Sequence, residues 1–410
     1  MIRGLAAALC AAALACGGAD GPTDTEPAPG QAPGAASEST AAPHDDDSDH
    51  DDPEGARLRA VEVAVNEHSA AMHDCWGQAA AETLDLAGEM VFEVEIGEGG
   101  EPADLDVVRD TAEDETLRAC LVGLWSEHQF PAGVFEPGEV LRLPPLRFVA
   151  QDVQYAIPAR HIEPRDIAGG AGQARVILRE NNTGNQDASI SLLEIEPDAQ
   201  VELPAGEGTT AVVFAVSGQG RISGPGLPDD GAPLSAEDAA VAPDGAALSA
   251  RAEGDAPLEL LVSYAPAGPE AELVRAEGGA GAPDAAAAEV ALVRKDDAAT
   301  YSIAAGLGEA TIYHGEDAPG SPRASLTLLE ASPGMVVPPH VHEGASEYLY
   351  LLSGEGAMTA GDQEFRVGAR TAIQVPEGTE HGVEVVSDEP LRAVQIYAPA
   401  GPEQRFVGER

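Results

Sequence analysis

A chain of 410 residues is longer than one hydrophobic core usually organises, and at roughly 100–200 residues per domain it divides into two to four domains. Its 71 acidic and 22 basic residues leave a formal net charge of −49, which phosphates would repel, so nucleic acid is excluded as a partner and polybasic adsorption to lipid with it. The acidity reads as a means of solubility.

The first residues look like a targeting segment. Arg3 supplies a positive start, and the apolar run from Gly4 to Ala15 is too short to span a bilayer. The run ends in Ala13-Leu14-Ala15-Cys16-Gly17. This resembles a bacterial lipoprotein signal, which implies that residues 1–16 are the signal peptide and that Cys16 carries the lipid. The usual Leu three residues before the cysteine is Ala13 here, and an ordinary cleaved secretory signal is the alternative. Either reading takes the protein out of the cytoplasm. Gly17 in place of the Asp that retains lipoproteins at the inner membrane favours the outer membrane, with the lipid as the sole membrane contact. Residues 17–56 are Gly, Pro, Ala, Ser, Thr and Asp with almost no large apolar side chain, so they read as a disordered acidic tether. Cys75 and Cys120 remain after the signal, and two thiols in an oxidising compartment form a disulfide more readily than they stay free. Such a closure contributes about 3–4 kcal/mol in the chain-entropy view.

Residues 57–150 read as a small α+β domain. Ala60 to Ala81 has the apolar spacing of a helix, Val91 to Ile96 alternates as a half-buried strand, 97–100 is a glycine turn, Ala103 to Val108 is a second strand and Glu115 to Ser126 a second helix. This order, with Cys75-Trp76 early, Cys120 late and Phe130-Pro131 at the end, resembles the TonB C-terminal-like fold, nearest its AgmX/PglI C-terminal group. The resemblance implies a protein-interaction module of the cell envelope. Trp76 and Trp125 are expected in the core.

The remainder repeats itself. Ala188-Ser-Ile-Ser-Leu-Leu-Glu194 matches Ala324-Ser-Leu-Thr-Leu-Leu-Glu330 at a shift of 136, and Tyr264-Ala-Pro-Ala-Gly-Pro-Glu270 matches Tyr397-Ala-Pro-Ala-Gly-Pro-Glu403 at a shift of 133. Both copies consist of short alternating strands between Gly and Pro turns, the pattern of a β-barrel or sandwich. The copies span 151–276 and 289–410, with a linker over 277–288. The fold class is therefore mainly β, two tandem barrels behind a small α+β domain.

The second copy holds Gly334, His340, His342, Glu347 and Gly354, then Pro376, Gly378 and His381. His340 and His342, two apart on a predicted strand, share a face. Glu347 shares its face with Leu349 and Leu351, and His381 with Val383 and Val385, so all four side chains are expected inside one barrel. Three imidazoles and a carboxylate suit one divalent Fe, Mn, Ni, Cu or Zn ion better than Ca or Mg. The first cluster matches the first motif of the cupin superfamily and the second matches its Pro-x-Gly-x-x-His core. In two departures, Arg370 stands where the second motif usually opens with glycine, and Val385 where an Asn is common. The resemblance implies a bicupin in which His340, His342, Glu347 and His381 ligate the metal.

In the first copy the corresponding positions are Pro204, Gly206, Ala211 and Leu248, so that barrel is expected to hold no metal at this site. His68, His73, His128, His161 and His314 lack a comparable setting, and Glu343, Glu380 and Arg370 read as exposed loop charge. Whether the protein is an enzyme is open at this stage. It reads first as an envelope-anchored binder of a small molecule at the metal. The alternatives are a metal-dependent oxygenase, decarboxylase or isomerase, and an envelope scaffold whose α+β domain engages a protein partner.

Overall fold

The computed structural model describes residues 53–82, 84–150, 153–167, 169–204, 206–243, 245–274, 289–317 and 323–408. Cys16, the signal segment, the tether up to residue 52 and the linker 277–288 lie outside them. The chain forms two compact units, one of Gly88–Phe148 with the helical residues up to Asp74, the other of Cys75–Ala87 with the chain from Val149 onward. Among the described residues no helix is long and apolar enough to cross a membrane.

The first helix, Pro53–Ala80, starts earlier than its apolar pattern suggests, and four residues of the expected tether belong to it. Proline at the first helical position loses no hydrogen bond and presets φ for the helix. The hairpin Gly88–Ile96 with Pro102–Asp110 follows, then the helix Glu115–Ser126, whose Asp114 side chain caps the Leu117 amide. Two strands not foreseen, Val140–Arg142 and Leu146–Phe148, pair with Gly88–Ile96. Trp125 is fully buried, with His68 and His128 set edge-on to it and hydrogen-bonded to each other at 2.9 Å. Burial, and then the neighbouring His68, pushes His128 below its ordinary value. Cys75 and Cys120, the two cysteines among the described residues, are disulfide-bonded.

The second unit holds two barrels of the same design, each a seven-stranded antiparallel sheet facing a four-stranded one. The first barrel closes on an interior of aliphatic side chains, among them Leu203, Ala211, Val213, Leu248 and Leu260. Ala211 and Leu248 stand where the second copy has Glu347 and His381, so apolar packing fills that position. Gly218 and Gly354 mark the same tight turn in both copies, with φ of 86° and 78°. A Cβ at Gly354 would lie 2.6 Å from the Leu391 Cα, so only glycine fits there.

The large sheets of the two barrels pack face to face. Val212, Phe214, Leu192 and Leu261 of the first meet Tyr313, Leu328, Tyr348 and Ile396 of the second in one buried cluster, with Phe214 and Tyr313 edge-to-face at 5.8 Å. Each barrel also lends the other an edge strand. Ala156–Pro158, expected in the first barrel, pairs with Thr371–Val375 of the second, and Ala291–Val293, expected in the second, pairs with Ala239–Ala242 of the first. At three residues apiece these strands are stable only against a sheet edge already formed, which local sequence pattern does not reveal.

Two ion pairs join the barrels in a symmetric way. Arg370 Nη2 lies 2.7 Å from Glu259 Oε1, and Arg392 Nη2 lies 2.8 Å from Glu237 Oε1. Under the repeat, Glu237 corresponds to Arg370 and Glu259 to Arg392. Glu237 and Arg370 even share the left-handed backbone, at φ 68° and 62°. The first copy supplies acids at both positions and the second supplies bases. A partly exposed pair contributes up to about 1 kcal/mol, and like charges there cost a similar amount. Arg370→Glu is expected to lower the thermal midpoint by about 2–4 °C, and Glu259→Arg added to it to restore most of the loss, as read by calorimetry.

Candidate metal centre

The second barrel gathers its polar interior from both of its sheets. Val336–His340 and His381–Val385 are neighbours in the four-stranded sheet, with His340 opposite His381. Glu347 comes from Ser346–Ser353 in the seven-stranded sheet, opposite Tyr397. His342 lies beyond the end of its strand. Pro338 and Pro339 interrupt the pairing register just before it, because neither offers an N–H to the ladder. Its position is therefore not the outcome of strand alternation. The two motifs are tied through the backbone instead: the Gly378 N–H donates to the His342 carbonyl at 3.0 Å, and the Gly344 N–H to Glu377 Oε1 at 2.9 Å.

The three imidazoles converge. One nitrogen from each of His340, His342 and His381 lies within 4.8 Å of the others, and the ring centroids are 4.3–5.1 Å apart. The His340 Nδ1–H donates to the Pro338 carbonyl at 3.0 Å, and the His381 Nδ1–H to the Thr379 carbonyl at 2.9 Å. Those bonds set the tautomer and leave Nε2 of each ring as a lone-pair donor. The His340 Nε2 is buried without a hydrogen-bond partner, and the buried His381 Nε2 faces only the Glu347 carboxylate, 2.8 Å away. A buried, unsatisfied polar atom is costly, and one set among three converging imidazoles fits a coordination site.

Glu347 adjoins this trio rather than standing equidistant within it. Its Oε2 lies 2.8 Å from His381 Nε2 and 3.6 Å from His342 Nε2. Its Oε1 accepts from the Gln395 amide and, at 3.4 Å, from the Tyr397 hydroxyl. Burial acts to raise the Glu347 carboxyl, but the facing His342 and His381 outweigh it and hold the group well below its ordinary value. The same contact, against the opposing pull of burial, lifts His381. Burial, with His381 and Arg405 close by, lowers His340, which keeps that ring neutral and able to ligate. Burial and the adjacent Glu347 push Tyr397 well above its usual range, so its hydroxyl stays protonated and donates.

Below the histidines lies a cavity of about 380 Å³. Leu349, Leu351, Val383 and Val385 line it together with His340, Glu347 and His381, as strand alternation predicts for the last two strands. Glu343, Glu380 and Arg370 are exposed and outside it. Three polar residues of the site escaped the sequence reading: Gln395, Tyr397 and Arg405. Gln395 was detectable in principle, because the repeat places it opposite Val262, an apolar residue in the barrel that lacks the histidines. Arg405 Nη1 lies 3.3 Å from His342 Nε2, on the short helix Gln404–Gly408 that follows the last strand.

Borderline nitrogen donors beside one carboxylate make this a site for a single divalent transition ion, with Ca and Mg disfavoured by the scarcity of oxygen. In metal-free protein the Glu347–His381 pair should stabilise the fold in a defined window. The carboxyl contributes above its ordinary value of 4.5 and fails as pH falls through its depressed one, while the imidazole contributes below its ordinary value of 6.5 and fails as pH rises through its raised one. The stability difference between the wild type and Glu347→Gln, with chelator present, is expected to peak between pH 4.5 and 6.5. A value on the order of 3 kcal/mol there, shrinking at alkaline pH, would match a broken buried pair.

No curated protein matches the chain. Among solved structures, oxalate decarboxylase of Lactobacillus farciminis in complex with formate is similar over 62% of this chain and 88% of its own, at 14% identity and a TM-score of 0.49. A variant of Bacillus subtilis oxalate decarboxylase is similar over 61% and 78%, at 16% identity and 0.48. A further structure of the Bacillus subtilis enzyme, at 15% identity over 62% and 79% and a TM-score of 0.48, concerns its Mn(II) centres. A protein-family profile described as the cupin domain matches residues 327–397, the stretch of the second barrel that holds all four candidate ligands.

Proposed function

We propose that the second barrel binds one divalent transition metal through His340, His342 and His381, with Glu347 as the fourth ligand, and that a small molecule docks beside the metal in the cavity below. The observation that carries this reading is the convergence of one nitrogen from each of the three imidazoles within 4.8 Å of one another, with His340 Nε2 buried and without a hydrogen-bond partner and its ring oriented by a backbone carbonyl. The first barrel serves as the structural half, since its interior is apolar at the equivalent positions.

The metal, when bound, supplies a Lewis-acidic centre with positions open to a ligand. The chain's own residues do the rest. Gln395 and Tyr397 hold the Glu347 carboxylate in place, and the aliphatic walls exclude water. The reading is that of a binding module, and it supports no particular turnover. We also infer that Cys16 carries a lipid that anchors the chain in the cell envelope, and that the α+β domain serves as an interaction module there. Cys16→Ser should then move the protein from the detergent to the aqueous phase on Triton X-114 partition.

Elemental analysis of the full chain purified from its native compartment is expected to give one transition metal per chain. His340→Ala and His381→Ala should each lower metal affinity at least tenfold, whereas Leu248→Ala in the first barrel should leave metal content unchanged. Full metal content in both histidine variants would refute the assignment.

A further inference from the structure

The same cavity has two ends of opposite chemistry. One end carries the imidazoles, Glu347 and Arg405. Most of the remaining wall is apolar, with Leu349, Leu351, Met358, Ile373, Val383 and Val385, although Glu330 and Gln395 also line it. Oxalate-like dianions have no apolar surface to place against such walls, so the interior is over-provided with hydrocarbon for a ligand of that kind.

Arg405 is the one Lys or Arg among the lining residues. The chain has 71 acidic residues against 22 basic ones, yet no described carboxylate forms an ion pair with this guanidinium. It is not simply released to solvent. Its guanidinium carbon sits 4.8 Å from the Phe406 ring centre and 5.7 Å from that of Tyr397, and Nη1 faces His342 Nε2 at 3.3 Å. Stacking of this kind holds the planar group in place while its N–H edges stay available. Arg405 is also exposed, although Phe406 and Met335 in the same lining are buried, so its guanidinium is reachable from solvent. The first copy has Glu272 at the position of Arg405, so this charge belongs to the barrel with the histidines alone. A metal on His342 would use the lone pair that Arg405 now faces, which leaves the guanidinium donors for a ligand.

The geometry points to a monocarboxylate with an aliphatic tail as the ligand class, its head group held by the Arg405 guanidinium beside the metal site and its tail laid along the aliphatic walls. This rests on the metal reading for its location, and on Arg405 and the cavity lining for its chemistry. A guanidinium recognises a carboxylate through paired N–H donors, and each buried methylene adds its own increment.

Isothermal titration of the metal-loaded full chain with straight-chain carboxylates tests it. Affinity is expected to rise about threefold per methylene from butanoate to octanoate. Octanol should bind at least tenfold more weakly than octanoate, and oxalate more weakly still. Arg405→Gln should lose at least tenfold in octanoate affinity with metal content unchanged, and Arg405→Lys should recover part of the loss. A flat chain-length series, equal binding of octanoate and octanol, a preference for oxalate, or an Arg405→Gln variant that binds as the wild type would each overturn the proposal. If the chain held no metal yet bound octanoate in an Arg405-dependent way, the metal reading would fall and this inference would stand.

Discussion

Two backbone carbonyls, those of Pro338 and Thr379, decide what the centre of the second barrel can be. Each takes the Nδ1–H of a histidine, and in doing so fixes which ring nitrogen keeps its lone pair and where that lone pair points. Without them the imidazoles could exchange tautomers or turn toward one another, and the buried nitrogens would satisfy themselves locally. With them, His340 keeps a buried nitrogen without a hydrogen-bond partner, and His381 turns its own toward Glu347. The unsatisfied His340 nitrogen costs stability that a bound ion would return. The prolines before His342 break the pairing register within the strand, and His342 lies just past the strand's end with its ring beside the other two.

The rest of the architecture keeps this strained centre in register. His340 and His381 stand on the small sheet and Glu347 on the large one, so the two sheets must hold their spacing for the group to meet. The large sheet is braced from behind by the first barrel through a shared apolar cluster. Polar contacts from that barrel reach the backs of the site strands as well: Ala188 donates to the Tyr348 hydroxyl at 3.0 Å and Asn185 to Ser346 at 3.1 Å, on either side of Glu347. A barrel with Ala211 and Leu248 at the equivalent positions thus still contributes to the geometry of its sibling.

Much of this was readable from the chain alone. The repeat, the convergence of the three histidines and the apolar residues at the equivalent positions of the first copy match the spacing, because strand alternation maps every second residue to one face. Glu347, Leu349 and Leu351 behave as that rule requires. The rule does not reach His342, which lies past the strand's last residue, His340, and there the family pattern alone pointed to the residue. The exchanged edge strands were invisible, since three residues carry no periodicity and their partners lie far away in sequence. Arg405 was missed for a related reason. It sits past the last strand, on a short helix whose packing against the barrel no window of sequence reports. Gln395 lay within reach of a stricter comparison of the copies, as a polar residue where the sibling has valine.

The inverted charges at the four equivalent positions have a further bearing on how such a chain can exist. Two copies of the first half, brought together as the halves are now, would set Glu237 against Glu259 twice over, and two copies of the second would oppose Arg370 and Arg392. Each half is thereby a poor partner for its own kind and a good one for its sibling. A tandem duplication that began as a self-associating barrel would, after this divergence, depend on fusion: the linker guarantees the complementary match at a one-to-one ratio that separately made halves could not secure.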